Sequence, residues 1–235
     1  MSKKKIITFE AQDDHVFEIR ERPVPAAKLI PEWWKNIPKY NNPFDRLVLN
    51  PAPNLTVKQC APTLDMMTSG YIVTLWADIF IQQDIDGPTI KWNTHLPQII
   101  DMWPSYQVDN FEIPSGFDGK IFKYLHGWTI ITPPGWSCLI IHPSAYQNIP
   151  IRSISGVVDT DILKGQINVP FFIKQGFEGI IEKGTPMFQV IPFKRESWQA
   201  EFTNPGFKKS DFDLQRLGLK LIGSYSSKRA KKSYK

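Results

Sequence analysis

Short apolar runs, broken by turn residues about every 8–12 positions, constrain this chain more than any other feature. Lys120–Leu125 alternates like a half-buried strand, and Trp128–Thr132 and Cys138–Ile141 flank the turn Pro133-Pro134-Gly135. Ile151–Val158, Gln166–Ile173, Gly179–Ile181 and Phe188–Phe193 follow in the same style. Tyr71–Ile81 reads as one long strand, apolar on both faces and therefore central. The turn Asp84-Ile85-Asp86-Gly87-Pro88 closes it and Thr89–Trp92 returns. Residues 101–118 read as a loop. Twenty prolines and fourteen glycines are spread too evenly for long helices, and eight tryptophans suit sheets packed on large rings. The predicted class is all-β, mainly, with about ten strands in a sandwich, barrel or clip.

Both ends depart from this pattern. Residues 6–22 predict a strand or two, with Phe17 and Ile19 alternating with Glu18 and Arg20. Eight prolines fall within residues 23–62, which predicts an extended, irregular arm. A helical turn is expected around Pro31-Glu32-Trp33-Trp34-Lys35, its tryptophans anchoring the arm on the body. Near the far end, Ser210 and Asp213 form a capping box, and Leu214, Leu217 and Leu221 make one apolar stripe, so a short C-terminal helix is predicted. The expected division is a strand and proline/tryptophan arm over 1–65, a β core over 66–205, and a helix with a basic tail over 206–235.

The net charge of +5 belongs to the two ends. Lys3, Lys4 and Lys5 carry three positives, and Lys228, Arg229, Lys231, Lys232 and Lys235 carry five. Removing those eight leaves 20 basic residues against 23 acidic, a net of −3 for the body. A nucleic-acid groove needs its cations on the folded surface, interleaved with aromatic rings. Solvated termini are the plainer reading, and no strong nucleic-acid signal is expected beyond them.

Cys60 and Cys138 stand alone and read as reduced core residues. The apolar run after Lys5 stops after two residues, and no stretch approaches eighteen, so neither an export signal nor a membrane span is expected. His15, His95, His126 and His142 form no metal-binding spacing. Phosphate-loop and nucleophile-elbow motifs are absent.

Two turns carry the remaining chemistry. Gly156-Val157-Val158-Asp159-Thr160-Asp161 brings carboxylates out of a strand, and Lys183-Gly184-Thr185-Pro186 runs into Met187-Phe188-Gln189-Val190. If the two strands are neighbours, Asp159 and Gln189 share a mouth: one a base or metal ligand, the other an amide that both donates and accepts. Turn capping by Asp159 and Asp161, and satisfaction of buried backbone by Gln189, remain open alternatives. His142 reads as a packed residue and Lys194-Arg195-Glu196 as a solvated strand end.

In order and spacing, Pro133-Pro134-Gly135, Pro143-Ser144, Gly156–Asp161 with Gly165, and Lys183-Gly184 with Gln189 resemble the dUTP pyrophosphatase and dCTP deaminase superfamily. The likeness covers about residues 128–193. It implies a dUTPase-like β-clip or distorted barrel, usually a homotrimer. It also implies that Asp159 orients a sugar and an attacking water, that Ser144 faces a phosphate, and that Gln189 contacts a nucleotide. Mg²⁺ is implied only if such a site is active. Two departures matter. Ile162-Leu163-Lys164 stands where the family carries a stacking tyrosine, and Pro143 is followed directly by Ser144, without the family's arginine. Arg152, on a nearby strand, is the candidate replacement, and Asp161 completes the candidate set. The whole chain also resembles an uncharacterised family of tailed-phage proteins, through its Trp33-Trp34 arm, Cys60–Asp65, Ser69-Gly70-Tyr71, Val158–Asp161 and Gln189–Phe193. That resemblance implies a protein acting in the host cytoplasm. The expectation is a dUTPase-like protein without dUTPase activity that retains a nucleotide or small-ligand pocket. An active nucleotide hydrolase or deaminase with a rebuilt site, and a structural or virion-associated interaction protein, are the alternatives.

Overall fold

The computed structural model describes residues 5–41, 55–203, 229–230 and 233–235. Fourteen strands form four open sheets among them, so the mainly β class holds, and none of the four closes into a barrel. The helix expected from Ser210 lies outside the described residues.

The largest sheet has five strands. β2 (Val24–Pro25) and β3 (Tyr71–Thr74) lie on one side of β14 (Pro186–Lys194); β9 (Trp136–Ile141) and β11 (Gly156–Val158) lie on the other. A four-stranded sheet runs β10 (Ile151–Ser153), β12 (Val169–Lys174), β7 (Phe117–Tyr124), β6 (Ile100–Met102). A three-stranded sheet runs β13 (Gly179–Ile181), β4 (Ile79–Asp84), β5 (Gly87–Lys91), and β1 (Thr8–Ala11) pairs with β8 (Trp128–Ile131). Every pairing between these strands is antiparallel. One core gathers side chains from all the larger sheets, among them Val73, Ile81, Phe122, Ile140, Phe171 and Phe188.

Three expectations need correction. The long strand over 71–81 is two strands, β3 and β4, in different sheets. The chain crosses between them at Leu75–Asp78. The Leu75 N–H donates to the Thr185 carbonyl at 2.8 Å, and the buried Tyr124 hydroxyl accepts from the Trp76 N–H at 3.1 Å while donating to the Thr74 carbonyl at 2.7 Å. β3 and Leu75–Ala77 are buried and β4 turns Ile79 and Ile81 inward, so the apolar pattern runs on with only Asp78 between the halves. Secondly, the alternation of Phe17 and Ile19 is not a strand. Asp13 caps helix α1 (Asp14–Ile19) by accepting the Val16 N–H at 2.8 Å; Val16 is buried and both predicted inward residues face solvent. Thirdly, Ile151–Val158 is two strands in two sheets, β10 and β11.

The described part of the arm is anchored at Trp34. Helix α2 (Glu32–Asn36) begins after Pro31, and Trp34 packs with Met67 and Ala145. Trp33 donates its indole N–H to the Ala145 carbonyl at 3.1 Å. Helix α3 (Ala61–Thr68) supplies Met67 and leads into Gly70, whose backbone has φ +70°. A Cβ at Gly70 would lie 1.8 Å from the Val190 carbonyl oxygen, so only glycine lets β14 approach this closely.

Candidate functional site

β9 is the spine of the site. β11 pairs along one edge, with Val158 opposite Cys138, and β14 along the other, with Gln189 opposite Ile141 and Phe193 opposite Ser137. Asp159, one residue beyond β11, therefore arrives beside Ser137, and Arg195, one residue beyond β14, reaches the same corner. The Pro133-Pro134-Gly135 turn closes it from below: Gly135 adopts φ +81°, its N–H donates to Asp161 Oδ2 at 2.7 Å, and its carbonyl accepts the Arg195 N–H at 2.9 Å.

The corner is a charge cluster. Arg195 forms a two-pronged pair with Asp161, Nη1 to Oδ1 and Nη2 to Oδ2, both at 2.6 Å. Asp161 is nearly buried, with 8% of its side chain exposed, and Arg195 holds its carboxyl below the usual carboxylate range. The same pairing raises the Arg195 guanidinium. Asp159 differs: 51% of its side chain is exposed. Its Oδ1 accepts the Ser137 hydroxyl at 2.6 Å and lies 3.2 Å from Arg195 Nη1. Its second oxygen has no partner among the described residues. Thr160, between the two acids, is buried and shares a 2.7 Å hydrogen bond with Thr132. The turn is thus fixed on three sides and offers one oriented, half-exposed carboxylate.

Gln189 and Ser144 meet elsewhere. Gln189 is fully buried. Its Oε1 accepts both the N–H and the hydroxyl of Ser144, each at 3.1 Å, and its Nε2 donates to the carbonyls of Met66 at 2.9 Å and Ser69 at 2.7 Å. Its amide is therefore engaged on both sides and ties α3 to the sheet. The shared mouth does not form. β11 and β14 do not pair with each other, and Asp159 and Gln189 sit at opposite ends of β9, about four residues or ~13 Å apart along the strand.

Arg152 lies on edge strand β10, with its guanidinium 5.9 Å from the Phe117 ring, and takes no part in the cluster. Arg195 is the arginine of this corner, although its sequence neighbours read as a solvated strand end. Its partner lies 34 residues away in sequence, and only the β9–β14 register brings them together. His142 accepts the Ser153 N–H on Nδ1 at 3.2 Å, which leaves Nε2–H to donate to the Tyr146 carbonyl at 3.0 Å. Burial lowers its pKa, and its role is packing.

Arg195 already neutralises both carboxylates, so the residues do not fit a Mg²⁺ site of their own. Among the described residues no three His, Cys, Asp or Glu side chains converge to hold a metal. No helix among them is long and apolar enough to cross a membrane. No family model matches the chain, and neither does any curated protein.

Proposed function

We propose that this chain is a dUTPase-like β-clip protein of tailed-phage type that does not hydrolyse dUTP and instead binds a hydroxyl-bearing ligand of the nucleoside or nucleotide class at Asp159. The observation that carries this reading is the half-exposed Asp159 carboxylate, with one oxygen anchored by Ser137 and Arg195 and the other left without a partner among the described residues, in position to accept a hydroxyl. Such a group is oriented before the ligand arrives, which lowers the ordering cost of binding. Loss of hydrolysis is supported by the guanidinium inventory. Pro143-Ser144 lacks its arginine, Arg152 stands apart, and the Arg195 fork is closed on Asp161. Neither of these two described arginines offers an open planar donor pair beside Asp159 for a triphosphate. Trimeric assembly and action in the host cytoplasm accompany the family reading.

A thermal-shift screen of the full chain against nucleosides and nucleotides, with and without Mg²⁺, tests it. A ligand at a hundred times its Kd stabilises by about 2.7 kcal/mol. The expected result is a shift for at least one nucleoside or nucleotide that Asp159→Asn removes. No shift with any of them, or a shift that survives Asp159→Asn, rejects the site. Release of pyrophosphate or ammonia would replace it with the hydrolase or deaminase reading.

A further inference from the structure

The two basic ends of the chain converge on one face. Phe9 packs edge-on against Tyr71, with ring centres 5.1 Å apart, and Tyr234 packs edge-on against the same ring at 5.9 Å. The Tyr71 hydroxyl donates to the main-chain oxygen of Lys235 at 3.2 Å. Residues 5–9 and 233–235, far apart in sequence, therefore meet over β3.

Two clefts of about 530 and 320 Å³ open there, and both are lined by Ile7, Tyr71 and Lys235, so they form one trough. Lys5 and Lys235 line its larger part and Arg22 its smaller part. None of these three cations forms an ion pair with another described residue. No aspartate or glutamate is among the residues lining either part. Aromatic rings line the trough with the cations. Trp136 and Tyr234 are half-buried in the larger part, and Phe17 is 53% exposed in the smaller part, beneath the Arg22 guanidinium at 4.6 Å. Lys3, Lys4, Lys231 and Lys232 lie within four residues of Lys5 or Lys235 in sequence.

We propose that this trough binds single-stranded nucleic acid, with phosphates on Lys5, Lys235 and Arg22 and unpaired bases against Trp136, Tyr234 and Phe17. Cations in a groove lined by no aspartate or glutamate, together with partly exposed aromatic rings, match the chemistry of a single strand. A duplex hides its base faces and an acidic peptide has none, so neither uses the rings. The body's net charge of −3 disfavours binding elsewhere and leaves the ends as the attractive face.

Fluorescence anisotropy of the full chain with a labelled ten-residue oligo-dT tests the proposal. Binding should weaken with salt, with a slope of log K on log salt near −2 for about three phosphates. Trp136→Ala should weaken binding roughly tenfold, and Trp136→Phe should keep most of it. Lys5→Glu with Lys235→Glu should weaken it at least as much and flatten the salt slope. Lys174→Glu, a charge reversal at the exposed end of β12 outside the trough, should not. The double charge variant alters solvent-facing side chains and remains decisive if Trp136→Ala fails to fold. Unchanged binding in that variant overturns the proposal, as does equal competition by duplex DNA or polyglutamate. The readout is an oligonucleotide, so a failed mononucleotide screen at Asp159 leaves this site standing, and the reverse also holds.

Discussion

At the scale of single residues, close approach decides which positions tolerate change. Gly70 and Gly135 both hold positive φ, but a Cβ at Gly70 would strike the Val190 carbonyl, whereas at Gly135 it would meet nothing within 4 Å. Gly70→Ala is therefore expected to destabilise by more than about 2 kcal/mol and Gly135→Ala by about 1 kcal/mol, read as urea midpoints. Equal losses would mean that backbone conformation, not the contact with β14, sets the penalty at Gly70. The candidate site is partly legible at this scale. Asp159, Asp161 and Gln189 stand out because a polar side chain at the edge of an apolar run needs a partner. The partners do not stand out. Arg195 and Ser137 look like an ordinary strand end and an ordinary strand serine until the register across β9 is known.

At the scale of elements, the arm depends on one side chain. Trp34 is 3% exposed and packs on Met67 of α3 and on Ala145. Lys58 reaches back to the Trp34 carbonyl and sits 5.4 Å from its ring. Trp34→Ala should cost about 3 kcal/mol or more, concentrated in the arm, because the main core contains none of these residues. Limited proteolysis should then cut within residues 23–41 while the body persists; simultaneous loss of both would show a single cooperative unit. Sequence reading located this helix because proline and paired tryptophans mark it. It missed α1, since a six-residue helix with one buried residue shows no helical period, and two exposed apolar residues imitated a strand. Patterns of two work only when the face they imply is covered.

At the scale of the molecule, stability should follow pH through His126. Its Nδ1 accepts the Trp128 N–H at 3.2 Å, so the proton sits on Nε2, facing the Ile167 carbonyl at 2.5 Å. Burial pushes its pKa down to about 4, against about 6.5 in the unfolded chain. As pH falls the unfolded state takes up the proton first. Stability is full above about pH 6.5 and falls by on the order of 3 kcal/mol as pH drops toward 4. Urea midpoints at about pH 7.5 and pH 5 should differ accordingly, and His126→Gln should reduce that difference; an undiminished difference would assign the effect to other groups. The β class was readable over the whole chain because turn residues punctuate it. Topology was not: β9 meets β14 some 45 residues later, with no tight turn to set the register, so pairing follows from how the faces pack.

The passage at Leu75–Asp78 has a further consequence. One phenol, Tyr124, holds the chain where it leaves one sheet for another, and the Trp76 indole lies 2% exposed at that junction. Neither sheet can peel away without dragging the other through this knot. Its indole, one of eight in the chain, thus loses its burial when the two layers come apart.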